Sequence, residues 1–101
     1  MAKAYISEYS ILSRDEKGIA IPVGMEPALV EQTPVAIGGS SVQSAAFNAS
    51  TKYVRIHVDA VCSIAFGTNP TADANSKRMA ANSTEYFGAQ PGFKVAVITN
   101  T

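Results

Sequence analysis

One cysteine and one histidine are all the thiol and imidazole chemistry that this 101-residue sequence offers. A lone Cys62 excludes an internal disulfide and a multi-cysteine metal site. A lone His57 excludes a metal centre built on several histidines. Charge is scarce as well: Asp, Glu, Lys and Arg make up 16% of the chain, against about 25% in an average domain. The formal net charge is zero and no basic cluster exceeds the pair Lys77-Arg78, which argues against nucleic acid as a partner. No apolar run approaches the ~20 residues that would span a membrane. The opening residues MAKAYISEYS lack the apolar core of a signal peptide, so production in a cytoplasm is expected. Helical patterning is missing too, because no segment carries apolar residues at i, i+3, i+4 and i+7 over three turns.

The strongest positive signal is Tyr53 to Gly67, YVRIHVDAVCSIAFG. Val54, Ile56, Val58 and Ala60 alternate with Tyr53, Arg55, His57 and Asp59, the period of a half-buried strand. Ile64 and Phe66 continue the apolar pattern from Cys62, and Gly67 ends it. Tyr5 to Leu12 alternates in the same way and reads as a first strand at a sheet edge, with Tyr5, Ser7, Tyr9 and Ile11 on one face and Ile6, Glu8 and Ser10 on the other.

Short strands and turns account for the rest. Arg14 to Gly18 is a charged turn, and Ile19, Ile21 and Val23 form a strand that Pro22 confines to an edge. Ala28 to Gln32 and Val35 to Ile37 are short extended pieces around Thr33-Pro34, and Val42 to Phe47 follows the turn Gly38 to Ser41. Lys77 to Ala81, Thr84 to Gly88 and Phe93 to Thr99 complete the set. About eight short strands separated by turn signals predict one all-β domain over residues 1–101: a two-sheet antiparallel β-sandwich with less than about a tenth of residues helical. Val54, Ile56, Val58, Ile64, Phe66, Phe93, Val95 and Val97 are its expected core. A chain this short buries only roughly 60–65% of its unfolded surface, so association with another copy or a larger partner would add needed stability.

No catalytic set assembles from the sequence. His57 shares a strand face with Asp59, as a general base and its orienting carboxylate would, but nothing local supplies a nucleophile. Cys62 has no surrounding motif and reads as a small buried hydrophobe. The carboxylates are scattered, and Asp73 with Asn75 echoes a calcium loop without its glycine and glutamate. No catalytic, metal or cofactor residue is therefore assigned. Binding is the better-supported theme. Tyr5 and Tyr9 lie on a predicted edge, with Ile19 and Ile21 on a second one. Thr68, Asn69, Pro70 and Asp73 lie in Thr68 to Asn75, the longest stretch without apolar periodicity and the chief candidate for a binding loop.

The second half of the chain resembles a known family. It opens on Tyr53-Val54-Arg55-Ile56, a strand Cys62-Ser63-Ile64-Ala65 ends in Phe66-Gly67-Thr68-Asn69-Pro70-Thr71-Ala72, a segment Ala81-Asn82-Ser83-Thr84-Glu85-Tyr86-Phe87 follows, and the chain closes on Pro91-Gly92-Phe93-Lys94-Val95-Ala96-Val97-Ile98. These motifs resemble the small structural proteins of tailed bacteriophages, of the head decoration or cement type. The resemblance covers about half the chain and stops short of Phe47. It implies a jelly-roll-like β-sandwich without catalytic residues or cofactors. It also implies a virion protein on the capsid surface, with the major capsid protein as partner and a homo-oligomer (dimer or trimer) as the binding form. The alternatives are a tail, neck or fibre component, a carbohydrate- or ligand-binding sandwich with tyrosines as stacking platforms, and a jelly-roll enzyme.

Overall fold

A computed structural model describes residues 2–100. Among them there is no helix, and so none long and apolar enough to cross a membrane. Eleven strands form: β1 (Lys3–Tyr9), β2 (Leu12–Arg14), β3 (Ala20–Gly24), β4 (Val30–Glu31), β5 (Val35–Ala36), β6 (Val42–Gln43), β7 (Tyr53–Val58), β8 (Cys62–Gly67), β9 (Lys77–Met79), β10 (Ser83–Gly88) and β11 (Lys94–Thr99). A five-stranded sheet runs β10-β7-β1-β4, with β5 also on β1. A four-stranded sheet runs β6-β11-β8-β9, and β2 pairs only with β3 as a separate ribbon.

The stretch that dominates the sequence supplies the centre of both sheets. β7 lies between β1 and β10, and β8 between β11 and β9, so Asp59 to Val61 carries the chain from one layer to the other. Connections β5–β6, β6–β7, β9–β10 and β10–β11 change layers in the same way, so the two sheets form the antiparallel sandwich expected. Alternation sorts the faces. Ala4, Ile6, Val54, Ile56 and Val58 point inward from the first sheet and meet Cys62, Ile64, Met79, Val95 and Val97 from the second. Val35, Ile37 and Phe47 close one side. Two expected core residues, Phe66 and Phe93, sit at the margin, partly buried against this cluster; Phe66 tilts on Phe87 at 5.2 Å between centroids.

β1 departs from expectation. It is not an edge: β7 flanks it on one side and β4 and β5 on the other. The short pieces around Thr33-Pro34 take the edge instead, where a missing N–H is harmless. β1 also stops at Tyr9, because residues 11–24 leave the sheet to form the ribbon.

The inner face of β1 carries one charged residue, Glu8, which is 1% exposed. Its carboxylate accepts hydrogen bonds from Thr51 Oγ1 (2.7 Å), the Asn48 backbone N–H (2.8 Å) and Gln32 Nε2 (2.7 Å). Gln32 also grips the backbone of Ala45, donating to its carbonyl and accepting from its N–H at 3.2 Å each. The bonded segment continues onto the second sheet, with Ser44 N donating to Val95 O and Phe47 N to Phe93 O at 2.8 Å. Glu8 thus ties the first sheet to the connection that reaches the second. No buried side-chain polar atom among the described residues lacks a partner.

Ile56→Ala should lower the unfolding free energy by about 2–5 kcal/mol in urea titration, as for other fully buried isoleucines. Glu8→Ala should cost a comparable ~2–4 kcal/mol, because it strands three donors without an acceptor. A loss below about 1 kcal/mol for Glu8→Ala would mean that water replaces the carboxylate at no cost.

Candidate docking surface

The outer face of the five-stranded sheet can be read row by row from its register. Tyr9 opposes Tyr53, which opposes Gly88; Ser7 opposes Arg55, which opposes Tyr86; Tyr5 opposes His57, which opposes Thr84. The first of these rows is the seat of the ribbon. Tyr9 and Tyr53 stack with centroids 5.2 Å apart and planes 12° from parallel. Gly24 lies on the pair so closely that a Cβ there would come within 2.7 Å of the Tyr9 ring and 2.9 Å of the Tyr53 hydroxyl. Tyr9 donates to Glu26 Oε2 at 2.6 Å, and Tyr53 to the Ile11 carbonyl at 3.1 Å. Burial pushes the Tyr9 phenol up to about 12, with the Glu26 hydrogen bond and charge adding to it. Burial raises Tyr53 as well.

Beyond this anchor the ribbon is on its own. The tip turns at Arg14 to Gly18: Asp15 Oδ1 accepts from the N–H groups of Lys17 and Ile19 at 2.9 Å each, and Gly18 takes a φ of 81° that glycine adopts without strain. Ile11, Leu12, Ile19, Ile21, Val23 and Met25 all remain exposed, Ile19 at 62%. Not one residue from Ile11 to Val30 is buried. The molecule is correspondingly long, 47 × 26 × 22 Å. Between the ribbon and the sheet runs an open, largely apolar groove of about 540 Å³, lined by Leu12, Pro22, Val23, Tyr53, Tyr86 and Phe87.

The residues expected at an interface divide accordingly. Ile19, Ile21 and Tyr5 are exposed, as are Thr68, Asn69 and Asp73. Tyr9 and Pro70 are corrections. Tyr9 is 3% exposed because the ribbon's return covers it. Pro70 is buried where the loop folds back: Gln43 Nε2 donates to the Pro70 carbonyl (2.9 Å) and to Asn69 Oδ1 (2.8 Å), and the Ala72 N–H donates to Ser41 Oγ (2.9 Å). Asp73 is spent on its own turn, accepting from the Asn75 N–H and from Ser76 Oγ. Among the described residues no group of three or more His, Cys, Asp or Glu side chains is placed to hold a metal ion.

His57 and Cys62 are not brought together. His57 faces out, its Nδ1 2.8 Å from Thr84 Oγ1 and its Nε2 3.8 Å from Asp59 Oδ1, the latter too long for a hydrogen bond. Cys62 faces the core of the other layer, where burial pushes its thiol up and disfavours the thiolate. Ser7, on the outer face, donates its hydroxyl to Glu31. The residue that sequence reasoning passed over is Glu8. A carboxylate alternating with Ile6 on an otherwise apolar face was the available signal.

The Tyr9 seat makes a pH prediction. A phenol whose folded pKa lies above its ordinary 10.0 is held neutral by the fold, so its contribution is complete below pH 10 and is lost as pH climbs toward about 12. Thermal stability should therefore hold to about pH 10 and fall between there and pH 12, with tyrosinate absorbance rising in step. Gly24→Ala should lift the ribbon off its seat, cost about 1–3 kcal/mol and bring the late-titrating tyrosine back toward 10.0. An unchanged titration in a folded Gly24→Ala protein would show that the ribbon does not seal Tyr9.

No family model matches the chain, and neither a curated protein nor a solved structure does.

Proposed function

We propose that the protein is a non-enzymatic virion structural protein of the head decoration type, which binds the outside of an assembled bacteriophage capsid and stabilises it. The observation that carries this reading is the ribbon: a preformed arm, anchored at its base, that leaves Ile11, Ile19, Ile21 and Val23 uncovered. Apolar surface of that extent on a small domain fits a protein interface. Its tip charges, Arg14, Asp15, Glu16 and Lys17, balance, so contact needs little desolvation of net charge. The phage-like motifs add to the reading: they occupy the loop after β8, the strand β10 and the strand β11. The partner is the major capsid protein, and the site of action is the capsid surface of a virion built in the host cytoplasm.

The mechanism is mass action. A protein that binds only the assembled shell stabilises it by RT ln(1 + [L]/Kd) per site, and many copies multiply a modest gain. Heads heated with and without the protein test this. They should survive to a higher temperature with it, and the gain should persist at about 0.5 M salt, where the Debye length is only about 4–5 Å. Ile19→Asp combined with Ile21→Asp should leave the sandwich folded and weaken co-sedimentation with heads roughly tenfold or more. Equal survival with and without the protein would remove the reading. Co-purification with tails instead would move it to a tail, neck or fibre component.

A further inference from the structure

We propose that two copies of this chain join through β10, so that the five-stranded sheets of both run on as one across a twofold axis at Tyr86. This association uses the backbone edge of β10, beside the groove that Tyr86 and Phe87 share with the ribbon, and needs no capsid.

Every other edge is guarded against pairing. β4, β5 and β6 are two residues each, with Pro34 between the first two. β9 has three residues, two of them Lys77 and Arg78. The ribbon carries a register shift on β2 and Pro22 on β3. β10 has a single such device, the charge of Glu85, which is paired with core-facing Ile56 and shares its facing. Its six residues, STEYFG, pair with β7 in unbroken register and contain no proline, lysine or arginine. No backbone group of Ser83 to Gly88 bonds elsewhere among the described residues, so half of the strand's N–H and C=O groups face outward unpaired. Tyr86 beside them is 59% exposed, the most exposed tyrosine described.

The occupant follows from register and charge. A twofold antiparallel continuation pairs residues of like facing, so the pairs must be of equal parity. Centring on Glu85 sets two carboxylates opposite each other, which is unfavourable. Centring on Tyr86 sets Tyr86 against Tyr86 of the second copy, Thr84 against Gly88, and Glu85 against Phe87, and no like charges meet. Only these two centres pair five of the six residues, and the edge's single charge decides between them in favour of Tyr86. Two paired six-residue edges with their tyrosines bury on the order of 1,000 Å² in total, the lower end for a specific interface. A chain of zero net charge opposes the approach of its own copy little.

Sedimentation of the free full-length protein, without heads, tests this. A monomer–dimer equilibrium in the micromolar range is expected. Tyr86→Lys, at an exposed site, should keep the circular dichroism spectrum and raise the dissociation constant tenfold or more. Tyr86→Cys should form a disulfide-linked dimer on mild oxidation, since paired Cα atoms lie about 4.5–5.5 Å apart. Thr84→Cys should link only when mixed with Gly88→Cys. A protein still monomeric at about 100 μM, or a dimer indifferent to Tyr86→Lys, would overturn the proposal. Self-linking of Thr84→Cys as fast as Tyr86→Cys would overturn the register, and pairing seen only with capsid subunits would assign the edge to them instead.

Discussion

The carboxylate of Glu8 is the interaction on which the sandwich depends. It sits next to the C-terminal end of β1, opposite Val54 on the central strand, with no ion-pair partner among the described residues and three donors around it. Two of those donors, the Asn48 N–H and the Thr51 hydroxyl, belong to the connection between β6 and β7; the third, Gln32, holds Ala45 in the same connection. That segment crosses from the second sheet to the first without regular ladder pairing of its own. A buried anion surrounded by donors fixes such a segment in one place, because any slip leaves polar groups unpaired away from water. Hydrophobic burial drives the two layers together, and the Glu8 network decides how they are joined.

A second constraint governs the ribbon. Gly24 must come against the Tyr9 and Tyr53 rings, and that contact converts a flexible excursion into an arm with a fixed base. Two hydroxyl hydrogen bonds, to Glu26 and to the Ile11 carbonyl, hold both sides of the base. The apolar residues beyond it gain nothing from the chain's own core. The fold therefore separates its tasks: the two sheets supply stability, while the ribbon and the β10 edge keep surface that a lone monomer leaves unsatisfied.

Period-2 alternation determined the all-β class and the inward set Val54, Ile56, Val58, Ile64, Val95 and Val97, because a strand's side-chain facing is a local property of its backbone; the charged run ending in Gly18 marked the turn at Arg14 to Gly18. The exposure of Ile19 and Ile21 followed from Pro22, which bars a central position. Pairing is not local, and there the tertiary structure decided. Only the sheet order shows β1 to be interior, and only the ribbon's return buries Tyr9. Pro70 reads in the sequence as part of an exposed binding loop, but Gln43 and Ser41, some thirty positions earlier, fold that loop inward. Glu8 looked like one scattered acid until Gln32, Asn48 and Thr51 converged on it from separate segments. Hydrogen-bond partners distant in sequence leave no periodic trace in it, which is why the facing of each strand was legible and its neighbours were not.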